Sequence, residues 1–287
     1  MHEEYPYTPR KAIAVYANPP DIGVYSLLHS TGLTSLLSFI TMHLSFINLI
    51  RGVLSPSQAP TKTLSTGDVD HQYIRGDITN RSPCPGLNAL ANQGYLQVYS
   101  VLPRDGKGLT ISQVEQACMI GLHQSKALAT AIARPLKEIV RSNGTFDLID
   151  LRRHNVIEHD ASLTRLDARQ GDNYTFQPAM LEAMLRDAHP GPVTVQTLAK
   201  SYNRRRRERK ADGGIALPLN LWYVNVIQTV SFINTADTGG KVPEDVMRTF
   251  YEDERIPDVV ALNQETRTLT RLLTYAVKLM FFIVVGS

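Results

Sequence analysis

Two short stretches of this chain carry residue types that could do chemistry. The first is Ser82-Pro83-Cys84-Pro85-Gly86-Leu87-Asn88-Ala89-Leu90-Ala91-Asn92-Gln93-Gly94-Tyr95. Pro83 biases Ser82 toward extended backbone, and Pro85 does the same to Cys84 while suiting the first position of a helix. Leu87, Leu90 and Ala91 then recur at helical spacing, which places Cys84 at a helix N-terminus. Free N–H groups and the positive dipole end favour an anion there. A thiolate in such a setting has its pKa lowered to roughly 3.5–7.5. It suits a soft metal bound by a single sulfur, and haem iron with one cysteinate axial ligand fits. A buried helix-capping cysteine is the other reading of the same triplet.

The second stretch is His154-Asn155-Val156-Ile157-Glu158-His159-Asp160-Ala161-Ser162-Leu163-Thr164-Arg165. Glu158 and Ser162, at i and i+4, are predicted to share a helical face, where their oxygens could hold a hard cation such as Mg²⁺. His159 and Asp160 project elsewhere, with the imidazole available for proton traffic near neutral pH. A solvated helix face held by ion pairs is the alternative.

The elements that must position these residues are mostly helical. Ser112 to Val140 reads as a long helix capped by Ser112 with Glu115 in a capping box, kinked or split at Pro135. Leu181 to Arg186, Thr194 to Arg209 with Thr194 as cap, and Val242 to Tyr251 are helical. Leu217 to Ala236 is apolar and reads as one buried helix or a pair. The basic run Arg204 to Lys210 reads as a solvated face, since no aromatic interleaving points to nucleic acid. Leu272 to Val285 reads as a helix packed on the domain or on a membrane surface rather than a crossing.

Composition sets outer bounds. The chain has 287 residues, 43% hydrophobic and 20% charged, with a net charge of +3, the profile of a globular protein without a bias toward nucleic acid. Its two cysteines exclude a disulfide scaffold. With Cys84 assigned to a metal, Cys118 reads as a buried inert thiol, or less simply as half of an intermolecular disulfide. Residues 24–50 lack Asp, Glu, Lys and Arg and are long enough to cross a bilayer, although His29, His43 and Asn48 interrupt them. They read as a membrane segment or signal anchor, with a buried or surface helix, or a true start at Met42, as the alternatives. Ser55 to Gly67 reads as a linker. The expected organisation is an N-terminal extension over 1–67, a catalytic domain over 68–262 and an apolar helix or tail over 263–287. Sequons begin at Asn80, Asn143 and Asn173; the first is followed by Pro83 and is discounted, and the other two are compatible with a secretory route.

The string from Pro83 to Leu96 closely resembles the haem-ligand segment of the fungal haem-thiolate peroxidases, the family that contains chloroperoxidase and the unspecific peroxygenases. Glu158-His159-Asp160 followed by Ser162, Leu163 and Arg165 resembles that family's second signature, in the right order. Glu254-Arg255-Ile256-Pro257 resembles a third run. The resemblance covers about Asp68 to Pro257. It implies a mostly α fold, a single helical domain of the chloroperoxidase type enclosing one haem b, with Cys84 as proximal ligand. It further implies Mg²⁺ or Mn²⁺ held by the Glu158 and Ser162 side chains and the His159 carbonyl, with His159 and Asp160 as catalytic groups on the distal side. The partners implied are hydrogen peroxide and a small apolar or phenolic substrate, oxidised or oxygenated, as in fungal secondary metabolism. The implied location is the secretory pathway, secreted or anchored through 24–50.

Two departures stand out. Residues 97–102 are extra relative to the family's usual turn. The family's distal glutamate belongs on the helix ahead of Glu254, yet 213–236 contains no Asp or Glu, and Asn225 or Gln228 lies near the expected place. The alternative function is therefore a haem-binding relative with little peroxide turnover.

Overall fold

In the computed structural model, the described residues are 71–96, 104–236 and 238–286. The expected extension over 1–67, its segment 24–50 and the extra residues 97–102 lie outside them. The described part is a helical assembly with little sheet. Its helices are α1 (Pro85–Asn92), α2 (Ile111–Gly121), α3 (Lys126–Ala133), α4 (Pro178–Ala188), α5 (Val195–Ala211), α6 (Leu219–Ala236), α7 (Glu244–Tyr251), the short α8 (Asp258–Ala261) and α9 (Leu269–Val285). Two two-residue strands, Val193–Thr194 and Lys241–Val242, pair antiparallel with Val193 opposite Val242. Among the described residues no helix is long and apolar enough to cross a membrane. The C-terminal helix α9 packs instead along α5 and α6.

Local chemistry sets most boundaries. Pro85 occupies the first turn of α1, where a missing N–H is harmless. The next helix starts two residues earlier than the Ser112 cap predicts. Leu109 pairs with Phe146 in an antiparallel bridge, which holds the backbone extended up to Thr110. Thr110 then forms the capping box, with its own amide bound to Gln113 Oε1 at 2.6 Å. The long helix expected to run on to Val140 also breaks at Leu122. Gln124 pairs in parallel with Arg267, Ser125 N donates to the Arg267 carbonyl, and Ser125 caps α3. A 3₁₀ segment, Arg134–Ile139, follows α3 with Pro135 in its first turn, where a missing donor is tolerated.

The core beneath α1 joins Leu87, Leu90, Val114, Cys118, Leu122, Phe146, Leu148, Leu151 and Ile256. Gly121 permits the close approach of α2. A Cβ there would lie 2.6 Å from Leu90 Cδ2 and 2.9 Å from Tyr95 Cγ.

Candidate active site

Cys84 is the N-cap of α1, as its flanking prolines predict. Its loop is braced by buried polar groups. Cys84 N donates to Ser82 Oγ at 3.1 Å, and Ser82 N and Oγ both donate to Asn88 Oδ1 at 2.9 Å. Asn88 Nδ2 donates to the Ser82 carbonyl and to Glu254 Oε1, each at 2.8 Å. Glu254 in turn meets Arg165 Nη2 at 3.0 Å, and both side chains are buried. The Glu254 carbonyl accepts from Asn92 Nδ2 at 3.1 Å. All three signature segments thus meet at one carboxylate.

The thiol itself departs from the expectation of a lowered pKa. Burial is the larger influence and pushes it up, against the amides of Leu87 and Gly86 and the Arg165 charge, which favour the thiolate. The donor set fits a single sulfur–metal bond. The sulfur makes no side-chain capping bond, two amides and a guanidinium are disposed to stabilise its anion, and a bound cation would supply the charge that burial denies it. Cys118 is deeply buried in the core and pushed up to about 12, an inert thiol.

The second motif is not a helix. Residues 154–167 form an irregular loop in which Asn155 and Ala161 have φ of 61° and 72°, outside the right-handed helical region. The helical face expected to unite Glu158 with Ser162 is therefore absent. Ser162 Oγ instead accepts from the amides of Thr164 at 3.2 Å and Arg165 at 3.1 Å, capping a turn. Glu158 Oε2 lies 2.8 Å from His154 Nδ1, and ligand atoms of His154, Glu158 and Asp160 all fall within 4.8 Å of one another. The sequence reading missed His154 as a partner, because a tight loop rather than a helical repeat brings it there.

His159 and Asp160 are placed differently from each other. The His159 ring is buried, with Nδ1 2.7 Å from the Asp160 carbonyl oxygen. Burial holds the imidazole below its ordinary pKa, against the pull of Asp160. It is neutral at pH 7, with the hydrogen on Nδ1 and a bare lone pair on Nε2. That Nε2 is sealed from solvent and has no hydrogen-bond partner. The Asp160 carboxylate turns away, accepting from Ala168 N at 2.9 Å and facing Arg209 Nη2 at 3.4 Å. Asp160 thus positions the imidazole through its main-chain oxygen, not through its carboxylate.

The basic run of α5 is only partly a solvated face. Arg206, Arg207 and Lys210 are exposed, but Arg205 and Arg209, one turn apart, are buried. They grip Asp167 at 2.7 and 2.6 Å, and Arg205 Nε also donates to the Ser162 carbonyl. On α6 the structure separates the two amides left open by sequence. Gln228 is exposed, whereas Asn225 is buried and donates through Nδ2 to the Ala161 carbonyl at 3.1 Å. A shallow recess of about 300 Å³ lined by Ile139, Arg141, Ile149, Asp150 and Arg153 contains no residue of either motif.

The chain is mostly helical and presents one braced cysteine at a helix start, tied through a buried carboxylate and Arg165 to a polar Glu-His-Asp loop. The family model described as "Peroxidase, family 2" matches residues 71–266, and the chain belongs to that family. It is 30% identical over 185 residues to an aromatic peroxygenase of Coprinellus radians, covering 56% of this chain and 67% of that protein. It is 28% identical over 218 residues to an aromatic peroxygenase of Cyclocybe aegerita, covering 64% and 54% respectively. A chloroperoxidase of Leptoxyphium fumago is 34% identical over 103 residues, 33% of this chain and 26% of that protein. The chain thus spans between about a quarter and two thirds of the length of these relatives.

Proposed function

We propose that this protein is a haem-thiolate oxidoreductase that uses hydrogen peroxide to oxidise or oxygenate small apolar or phenolic compounds, a chemistry suited to secondary metabolism in a fungus. The observation that carries the reading is the Cys84 loop, held by Asn88, Glu254 and Arg165 so that one sulfur stands at the start of α1. Cys84 would hold the iron of a haem b, which supplies cleavage of the peroxide O–O bond, favoured by electron density from the cysteinate. The remaining work falls to the chain's own groups. His159 Nε2 takes a proton from peroxide and can return it to the departing oxygen. Its ring is kept in the required tautomer by the Asp160 carbonyl. Such assistance is typically worth roughly 10²–10⁴-fold in rate.

Glu158 is the anchor of the proposed Mg²⁺ or Mn²⁺ site in either ligand set, with the His159 carbonyl and Ser162 or with His154 and Asp160. Glu158→Gln should lower metal content and haem retention together, measured by elemental analysis and absorbance. His154→Ala should lower metal content only if the imidazole is a ligand.

Secretion is supported by the Asn143 sequon, which sits in an exposed turn, whereas Asn80 and Asn173 are half-buried. A second reading, haem binding with little turnover, is favoured by the amide of Asn225 on a helix without carboxylates. The deciding experiment has two parts. Cys84→Ser should abolish the thiolate-type spectrum of the ferrous carbon monoxide complex, and Cys118→Ser should keep it. Steady-state oxidation of a phenolic dye with hydrogen peroxide then separates the two readings. A thiolate-type spectrum in the Cys84→Ser variant would overturn the ligand assignment.

A further inference from the structure

Helix α9 is apolar on two opposite faces. Leu272, Ala276 and Leu279 form its buried stripe, and the helix packs along α5 and α6. Turned the other way, Val277, Phe281 and Val284 recur at i, i+4 and i+7. They stand in solvent, Phe281 59% and Val284 84% exposed, with exposed Val285 beside them. A surface helix ordinarily sets polar groups opposite its core stripe. Here the outer stripe is apolar, and the two charged residues of the helix, Arg271 and Lys278, are both basic. Exposed apolar side chains gathered in one patch mark a surface that meets another apolar phase.

The neighbouring helix supplies charge. Asn203 Nδ2 donates to the Ile283 carbonyl at 3.2 Å, so the carboxy-terminal turns of α9 lie against the middle of α5. Arg206, Arg207 and Lys210 follow Asn203 by three, four and seven residues, share that side of α5 and are exposed. Among the described residues none of the three forms a salt bridge, and the one acid of that helix, Glu208, is held by Arg204. The apolar stripe is thus flanked by cations one helix away, at a spacing of about 8–10 Å between axes.

We propose that this face of α9 and α5 docks on an anionic lipid surface. Val277, Phe281 and Val284 enter the boundary between headgroups and acyl chains, and Arg206, Arg207 and Lys210 meet the lipid phosphates. The inner stripe of α9 stays in the core, so the helix lies in the plane of the interface and does not cross. A second copy of the chain fits this face less well. A twofold pairing through the stripe sets the basic residues of one copy beside those of the other, and α9 brings no acid to separate them. The inference is independent of what Cys84 binds.

The test is cosedimentation of the full chain with vesicles of phosphatidylcholine and phosphatidylserine, about two to one, against vesicles of phosphatidylcholine alone. Binding is expected on the first, roughly tenfold weaker on the second, and falling as salt is raised. Phe281→Ser with Val284→Ser, and separately Arg206→Gln with Arg207→Gln, should each lower affinity for the anionic vesicles by about tenfold or more. All four side chains are exposed, so both variants should keep the circular dichroism and Tm of the parent. If one variant does not fold, the other and the salt dependence of the parent still decide. Absence of binding by the parent overturns the proposal, as does binding that either folded variant retains. A dimer seen by light scattering, lost in Phe281→Ser with Val284→Ser and unaccompanied by vesicle binding, gives the stripe to a second copy and overturns it too.

Discussion

The Cys84 sulfur is pulled two ways. Burial keeps it a thiol, while the Gly86 and Leu87 amides and Arg165 favour the thiolate. In haem-free protein the first influence is the larger. Alkylation of Cys84 by iodoacetamide at neutral pH should therefore be slower than for a free cysteine of ordinary pKa near 8.5, and should speed up as pH rises. Rapid labelling at neutral pH would contradict the balance described. Cys118, held near 12, should stay unlabelled until the chain unfolds. Gly121 gives a second prediction at this scale. Gly121→Ala forces a methyl into Leu90 and Tyr95, and should cost about 1–3 kcal/mol of stability, read as a lowered Tm. Both cysteines were assigned from sequence because prolines and helical spacing are local. The direction of the Cys84 shift was not, because it depends on what packs over the sulfur.

At the scale of elements, α5 does more than its composition announces. Arg205 and Arg209 face inward and hold Asp167, and Asp167 holds the Ala161 amide. Burial alone would raise the Asp167 carboxyl. The Arg209 hydrogen bond, the Ala161 amide and the two arginine charges outweigh it and bring the group below its ordinary value. A carboxyl depressed in the fold contributes its full stability above the unfolded value, about 3.9, and loses it as pH falls through the folded value. The parent should therefore lose stability steeply below about pH 4. Asp167→Asn removes the charge that both buried guanidinium groups share. It should lower stability by about 3–5 kcal/mol at neutral pH and flatten the acid limb of a stability-versus-pH curve. An unchanged acid limb in that variant would count against the network.

Helices α4, α5, α6, α7 and α9 were legible because apolar period and caps such as Thr194 lie within the segment itself. The loop 154–167 was misread as helix for the opposite reason. Its course is set by the left-handed residues Asn155 and Ala161 and by arginines some forty residues away, none of which a local repeat can reveal.

Over the whole molecule, the site was legible as a set of motifs but not as a joint. Nothing in the sequence says that Asn88, Arg165 and Glu254 share one carboxylate. They lie on three segments, with Asn88 and Glu254 separated by 166 positions and Arg165 and Glu254 by 89. Glu254→Gln should keep Asn88 bound but remove the charge opposite Arg165. It should weaken haem retention while leaving most helical content, as read by absorbance and circular dichroism.

That joint also bears on the order of events during synthesis. Contacts between distant positions form late, because the intervening chain must first be brought round. Cys84 leaves the ribosome early, long before Glu254, and until Glu254 arrives its loop lacks the carboxylate that braces Asn88 and Arg165. The bracing of the Cys84 loop therefore waits on a residue far along the chain, and cofactor capture is expected to wait with it. Nascent chains stalled before Glu254 should fail to acquire haem, whereas chains extended well past Glu254 should take it up.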